Sequence, residues 1–240
     1  MTFLYKDQLS LFESNDDLNS RIYGYKKKDF EVKYLDRIEA NMIIRRNHYS
    51  HKVVMASTDH FGVYINNVLL GVLQYGHALN PKSISNIIPD STFDNFRELN
   101  RMWLSDEAPK NSESRAISYS IKILKKKYKD LKWIQSFADE RCGKLGVVYQ
   151  ASNFRYYGRH LSQFYEYNGE VLHKLMLTSP KHMEITRKRF KVDIQKILEN
   201  SNKMSLWQFR YIYFLDQRLV SQCLLEEKPY PKPKTFYQQK

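Results

Sequence analysis

Apolar and polar positions alternate along this chain in two rhythms, one suited to strands and one to helices. Residues 30–35 alternate weakly and predict a strand. Asp36-Arg37-Ile38-Glu39 has the form of a capping box, with Asp36 as N-cap and Glu39 reaching back. It predicts a helix to about Asn47, with Ile38, Met42 and Ile44 inward. Two apolar runs, 61–65 and 68–75, flank Asn66-Asn67, a two-residue hairpin signal. Residues 84–93 read as loop, and 96–104 as a strand ended by Asp106-Glu107-Ala108-Pro109. The clearest helix starts near Ser112. Its apolar positions Ile117, Ile121, Leu124 and Tyr128 step by four, three and four. A short buried strand at 133–138 and a short helix at 143–153 carrying Leu145, Val148 and Tyr149 follow. Strands at 156–167 and 170–178 then pair around Asn168-Gly169.

This order predicts an α/β fold, a mixed central sheet flanked by helices, over residues 30–178. Residues 1–29 read as an extension, because the acidic stretch 13–17 and the basic run 26–28 cannot build a core. Residues 179–240 read as a C-terminal extension. They hold a charged helical region at 182–200, an aromatic-rich stretch at 206–215, and an extended tail in which Pro229, Pro231 and Pro233 alternate with other residues. Within 240 residues, 42% hydrophobic content suffices for one good core. No apolar run approaches the ~20 residues a spanning helix needs, and residues 1–7 lack the charged and apolar regions of a signal peptide. Cys142 and Cys223 are the only cysteines, too few for a disulfide framework or a zinc cluster. A reducing cytoplasm is the expected compartment.

Charge changes the picture. Lys and Arg number 39 against 26 Asp and Glu, a formal net charge of +13, and there are 18 tyrosines. Neutralised phosphates release counterions and aromatic faces stack on bases, so nucleic acid is the expected partner; solubility alone is the bland alternative. The basic residues are scattered rather than gathered on one amphipathic helix, which argues against a membrane surface.

Three constellations could carry chemistry. The segment from Arg101 to Arg115 runs from a strand end into a helix start, where free N–H groups favour anions. Asn111 or Ser112 can cap that helix and Glu113 suits its dipole. Lys110 and Arg115 point instead to an anion contact. Ser136-Phe137-Ala138-Asp139 ends a buried strand. Asp139 is either the cap of the next element or a carboxylate whose partial burial raises its pKa for general-base work. Tyr149, ten residues on, either faces the same crevice or packs in the core. Asn47-His48-Tyr49-Ser50-His51 sets two histidines three apart, but no carboxylate spacing completes a zinc set.

Taken in order, these residues resemble a known family. Arg101-x-Trp103-Leu104, the run Pro109 to Arg115, Ser136-x-Ala138-Asp139, and Gly143-x-x-Gly146-x-x-Tyr149-Gln150-Ala151-Ser152-Asn153-Phe154-x-Tyr156-x-Gly158 resemble the Mom family of bacteriophage DNA-modification proteins. The resemblance implies a GNAT-like fold, conversion of the adenine amino group in DNA to an N6-carbamoylmethyl form, and protection against host restriction. It implies acetyl-CoA or an iron ion as cofactor, although the Q/R-x-x-G-x-G/A pyrophosphate loop of GNAT enzymes is absent here. Under it, Asp139 is the general base and Tyr149 the proton donor. Arg101 and Arg115 hold an anionic donor or a phosphate, with Ser112, Glu113, Ser114, Ser136 and Asn153 on the same substrate side. His48 and Tyr49 are further site residues and candidate metal ligands, and Tyr156 or Tyr157 stacks on the extruded base. The competing readings are an ordinary GNAT acyltransferase acting on a small molecule or protein, and a non-catalytic DNA-binding or clamp-binding protein.

Gln8-Leu9-Ser10-Leu11-Phe12 resembles the linear motif by which bacterial proteins bind the DNA sliding clamp. Leu11 and Phe12 are adjacent apolar anchors and Gln8 supplies a hydrogen bond. The alternative is that Leu9, Leu11 and Phe12 pack on the body as a short strand.

Overall fold

The computed structural model describes residues 24–78, 83–142 and 145–232. Residues 8–12, and with them the clamp-like motif, lie outside these. The sheet runs in the order β1-β2-β3-β4-β5-β6-β9-β7-β8. The strands are β1 (Gly24–Lys27), β2 (Phe30–Tyr34), β3 (Ser57–Ile65), β4 (Val68–Gly76), β5 (Phe96–Leu104), β6 (Trp133–Asp139), β7 (Arg155–Tyr167), β8 (Glu170–His173) and β9 (Asn202–Phe214). Strands β1 to β5 pair antiparallel, β5 and β6 pair parallel, and β7 and β8 pair antiparallel. A mixed α/β sheet is what the sequence predicts. No helix among the described residues is long and apolar enough to cross a membrane.

Both hairpin signals hold for a clear reason. Asn66 and Asn67 have φ of 51° and 64°, and Asn168 and Gly169 have 51° and 74°. These pairs of positive φ give turns whose twist matches that of the strands they join.

The chain separates into two compact units. The first gathers the elements up to Ser136, then Val147–Tyr157 and Tyr211–Tyr230. Within it α1 (Arg37–Asn47) lies over β3, β4 and β5, and α2 (Ser112–Lys127) over β1, β2 and β4. On β4, Val72 packs with Ala40 and Ile44 of α1, whereas the Tyr75 hydroxyl bonds Ser120 of α2 at 2.7 Å. Alternate residues of one strand thus serve opposite faces. Asp36 caps α1 as expected, accepting from the N–H groups of Ile38 and Glu39. The inward stripe is different: Ala40 and Ile44 are buried, while Ile38 is 71% and Met42 54% exposed. A small side chain at 40 allows close approach to the sheet, and that turns the neighbouring apolar pair outward.

The predicted loop at 84–93 does not merely connect. Ile84, Ile87 and Ile88 pack with Phe96, Trp133, Ile212 and Phe214 in the main core. The predicted aromatic stretch is strand β9, and its residues from Tyr211 onward belong to the first unit. The expected boundary at 178 is therefore not where the chain divides.

The second unit comprises Phe137–Gly146 and Gly158–Arg210 in the described residues. The expected strand 170–178 breaks after His173, and Leu175–Thr178 forms α4 instead; α3 (Val147–Ala151) precedes it in the first unit. The charged helical region is two helices, α5 (Pro180–Phe190) and α6 (Ile194–Glu199), with Lys191 left-handed at φ 54° between them. Leu172, Leu177, Ile194 and Ile197 form this unit's own small core.

Candidate functional site

Arg101 sits on β5 opposite Gln74 of β4, on the face that carries α1. Its Nε donates to the Lys52 carbonyl at 2.8 Å and its Nη1 to the Asn100 carbonyl at 2.7 Å. It thereby ties down the loop that leaves α1 and holds His48, Tyr49 and Ser50. His48 is buried, and its Nδ1 receives the Ser50 N–H at 3.1 Å and lies 2.8 Å from Ser50 Oγ. An N–H donor at Nδ1 assigns the ring proton of the neutral imidazole to Nε2. The Tyr49 ring lies 4.3 Å from the His48 ring and is largely exposed. The structure so brings together Arg101, His48 and Tyr49, which the sequence placed far apart.

A second group surrounds the start of α2. Asn111, one of the two predicted caps, holds the N-cap position at a left-handed φ of 69° but its side chain makes no cap bond, and Ser112 is the first helical residue. A cavity of about 610 Å³ opens there. Lys28, Lys110 and Arg115 supply cations, Ser112 and Ser114 hydroxyls, and Asp29 one carboxylate. Ser112 is 3% exposed. Ser114 Oγ bonds the Asn111 carbonyl at 3.2 Å. Arg115 is braced over the Phe30 ring at 4.3 Å and donates to the Tyr119 hydroxyl and the Lys27 carbonyl. No carboxylate pairs with Arg115, Lys28 or Lys110 among the described residues. Glu113 is not part of the lining.

Asp139 ends β6 in the second unit. Arg141 grips it in a fork, Nε to Oδ1 at 3.0 Å and Nη2 to Oδ2 at 2.6 Å, and adds its backbone N–H at 2.9 Å. Burial pushes the carboxyl pKa up, but the hydrogen bonds from Arg141 outweigh it and the net shift is downward. This corrects the expectation of a raised pKa. Asp139 is ionised at any physiological pH, and its partner Arg141 is a contact that sequence reasoning missed. Its signal was available: an arginine two positions past a strand-end aspartate.

Tyr149 is buried on α3 in the first unit, its ring 5.3 Å from Tyr211 and 5.7 Å from Phe154. Tyr156 is buried 5.2 Å from Tyr211, and Tyr157 lies 6.1 Å from Phe214. Both rings are buried, so stacking on an extruded base would require them to be uncovered. Ser136 is fully buried and donates to the Leu99 carbonyl at 3.0 Å, just where the β5–β6 ladder ends after Glu98 and Gln135. Its hydroxyl is spent on joining β6 to β5. Asn153, left-handed at φ 61°, makes the turn out of α3. Much of the run from Tyr149 to Gly158 is therefore a folding signature.

Residues 29–232 match the family described as the Mom protein family. The chain belongs to that family. A methylcarbamoylase of Escherichia phage Mu is 40% identical over 219 residues, spanning 90% of this chain and 89% of the relative. Among solved structures, the ribosomal-protein-S5-alanine acetyltransferase from Vibrio fischeri aligns at a TM-score of 0.46 and 14% identity, covering 81% of this chain and 97% of that one. A GNAT-family acetyltransferase from Bacillus anthracis aligns at 0.43 and 11%, covering 80% and 98%.

The cofactors implied for a Mom family member can be tested against these residues. Among the described residues no three His, Cys, Asp or Glu side chains converge, and His48 Nδ1 lies against Ser50. An anionic group suits the cations and hydroxyls that line the α2 start.

Proposed function

We propose that this chain is a phage-type DNA-modification enzyme that places a carbamoylmethyl-type group on the adenine N6 nitrogen and so shields DNA from restriction. The observation that carries the reading is the family match over residues 29–232, reinforced by 40% identity to a methylcarbamoylase along nearly the whole chain. The chemistry of the residues agrees. Adenine's amino lone pair is delocalised into the ring, so the amine attacks only a well-placed electrophile. As N6 bonds the donor carbon and the leaving group departs with its electron pair, the nitrogen becomes a strong acid. A low-pKa carboxylate can then take the proton, and that is the role proposed for Asp139, with Arg141 fixing its direction. Lys28, Lys110, Arg115 and Ser112 hold a phosphate or other anionic portion of donor or DNA. Arg101 positions the His48–Tyr49 loop. Tyr149 is the proposed proton donor to the leaving group.

Nucleoside mass spectrometry of DNA from cells expressing the protein tests this: modified adenine is expected, and none with Asp139→Asn. Unmodified DNA from wild-type cells would leave an ordinary acyltransferase or a non-catalytic binder. We further propose that residues 8–12 tether the enzyme to the sliding clamp. Replacing Leu11 and Phe12 with alanine removes two anchors worth on the order of 2 kcal/mol each and should abolish micromolar binding in calorimetry.

A further inference from the structure

Helix α1 turns an apolar pair toward solvent. Ile38 and Met42 are four residues apart on one face, 71% and 54% exposed, and neither belongs to the core that Ala40, Ile44 and Val72 make beneath the helix. The pair spans about 6 Å along the helix axis, less than two base-pair steps of a duplex. Met55 is also well exposed, two residues after Val53, which packs beside Ala40 and Ile44. Cations bracket this face. Arg37 precedes the pair, Arg45 and Arg46 follow one turn later, and Lys52 lies in the next loop. Residues 36–52 thus carry four cations against Asp36 and Glu39. The same helix leads into His48 and Tyr49, held by Arg101.

A small apolar wedge ringed by arginines has the chemistry of a surface that enters stacked DNA. Duplex-binding proteins insert isoleucine or methionine between base steps and anchor the flanking phosphates with arginine. An enzyme that acts on a paired amino group must also take its base out of the stack, and something has to compensate the lost stacking. We propose that the Ile38–Met42 face of α1 is the DNA-opening wedge of this protein, pressing into the duplex while Arg37, Arg45 and Arg46 meet the adjacent phosphates. The proposal rests on the DNA-modification reading and adds the part that opens the duplex.

The test uses purified full-length protein and duplex plasmid DNA, and it needs neither donor nor target sequence. An extruded adenine leaves its partner thymine unstacked and open to permanganate. Wild-type protein should produce reactive thymines. Ile38→Ser with Met42→Ser should cut that reactivity about tenfold while DNA affinity stays within about threefold, since the phosphate contacts remain. Ile38→Leu with Met42→Leu should keep it. In expressing cells the serine pair should lower modified adenine by a similar factor. Undiminished thymine reactivity in a folded serine variant overturns the wedge even if wild-type cells contain modified adenine. So does a wild-type dimer that the serine pair splits in sedimentation, because a second copy would then be the occupant. If wild-type cells contain no modified adenine and the protein yields no reactive thymines, the DNA reading falls together with the wedge.

Discussion

The two ends of α2 use the same side chains to opposite purposes. At the C-terminal end, Lys127 and Arg97 close on Asp59, which is fully buried. Lys127 reaches it at 2.8 Å, Arg97 Nε lies 3.8 Å away, and the Tyr128 hydroxyl bonds both carboxylate oxygens at 3.0 Å. Burial opposes the charge of Lys127, but its hydrogen bonds and the neighbouring carboxylate raise its pKa on balance. At the N-terminal end, Lys28, Lys110 and Arg115 face a cavity without a carboxylate partner among the described residues. A cation matched by a buried anion belongs to the fold. Arg115, braced on aromatic rings without such a match, is the cation proposed to meet a ligand.

The closed end should break hardest. Asp59→Asn strands Arg97 and Lys127 beside a neutral amide, and loss of one partner from a buried ion cluster costs about 3 kcal/mol. Urea unfolding measures it; a loss under about 1 kcal/mol would mean that the two ends are alike. At the open end, Arg115→Gln should leave the unfolding midpoint nearly unchanged. It should make the dependence of log affinity for DNA on log salt shallower by about one, the counterion share of one phosphate contact. An unchanged slope with weaker binding of an anionic donor would assign the cavity to the donor instead.

The smallest effect concerns Asp139, which is paired like the closed end although it is proposed to act in the reaction. Its folded pKa lies below the ordinary value of 3.8, so its stabilising contribution is complete above that value and fades as pH falls through the folded one. Neither stability nor rate should therefore carry an Asp139 limb between about pH 5 and 9. A limb near pH 6 in the wild-type rate would show that substrate displaces Arg141 from the carboxylate.

Turns and strand alternation were legible in the sequence because they are local. Asn66-Asn67 and Asn168-Gly169 need no distant partner to adopt positive φ. The inward face of α1 was legible only at Ile44; Ile38 and Met42 face outward, and the second buried position is Ala40, whose small side chain carries little hydrophobic signal. The candidate site was read in part. Arg115 and Ser112 came from a helix start, but Lys28 reaches the same cavity through the β1–β2 turn, from a segment that reads only as charged extension. Tyr156 and Ser136 are packed into the fold, and a family pattern does not distinguish folding residues from chemical ones.

Strand order imposes a schedule on the ribosome. β9 is last in the chain, yet it lies between β6 and β7 in the sheet. Until residue 214 has been synthesised, β6 and β7 each lack a neighbour and present open edges, which attract other strands. At roughly 5–20 residues per second the nascent chain spends several seconds in that state between the end of β7 and the end of β9. A chain cut after residue 178, where the sequence suggests a domain ends, would never leave it.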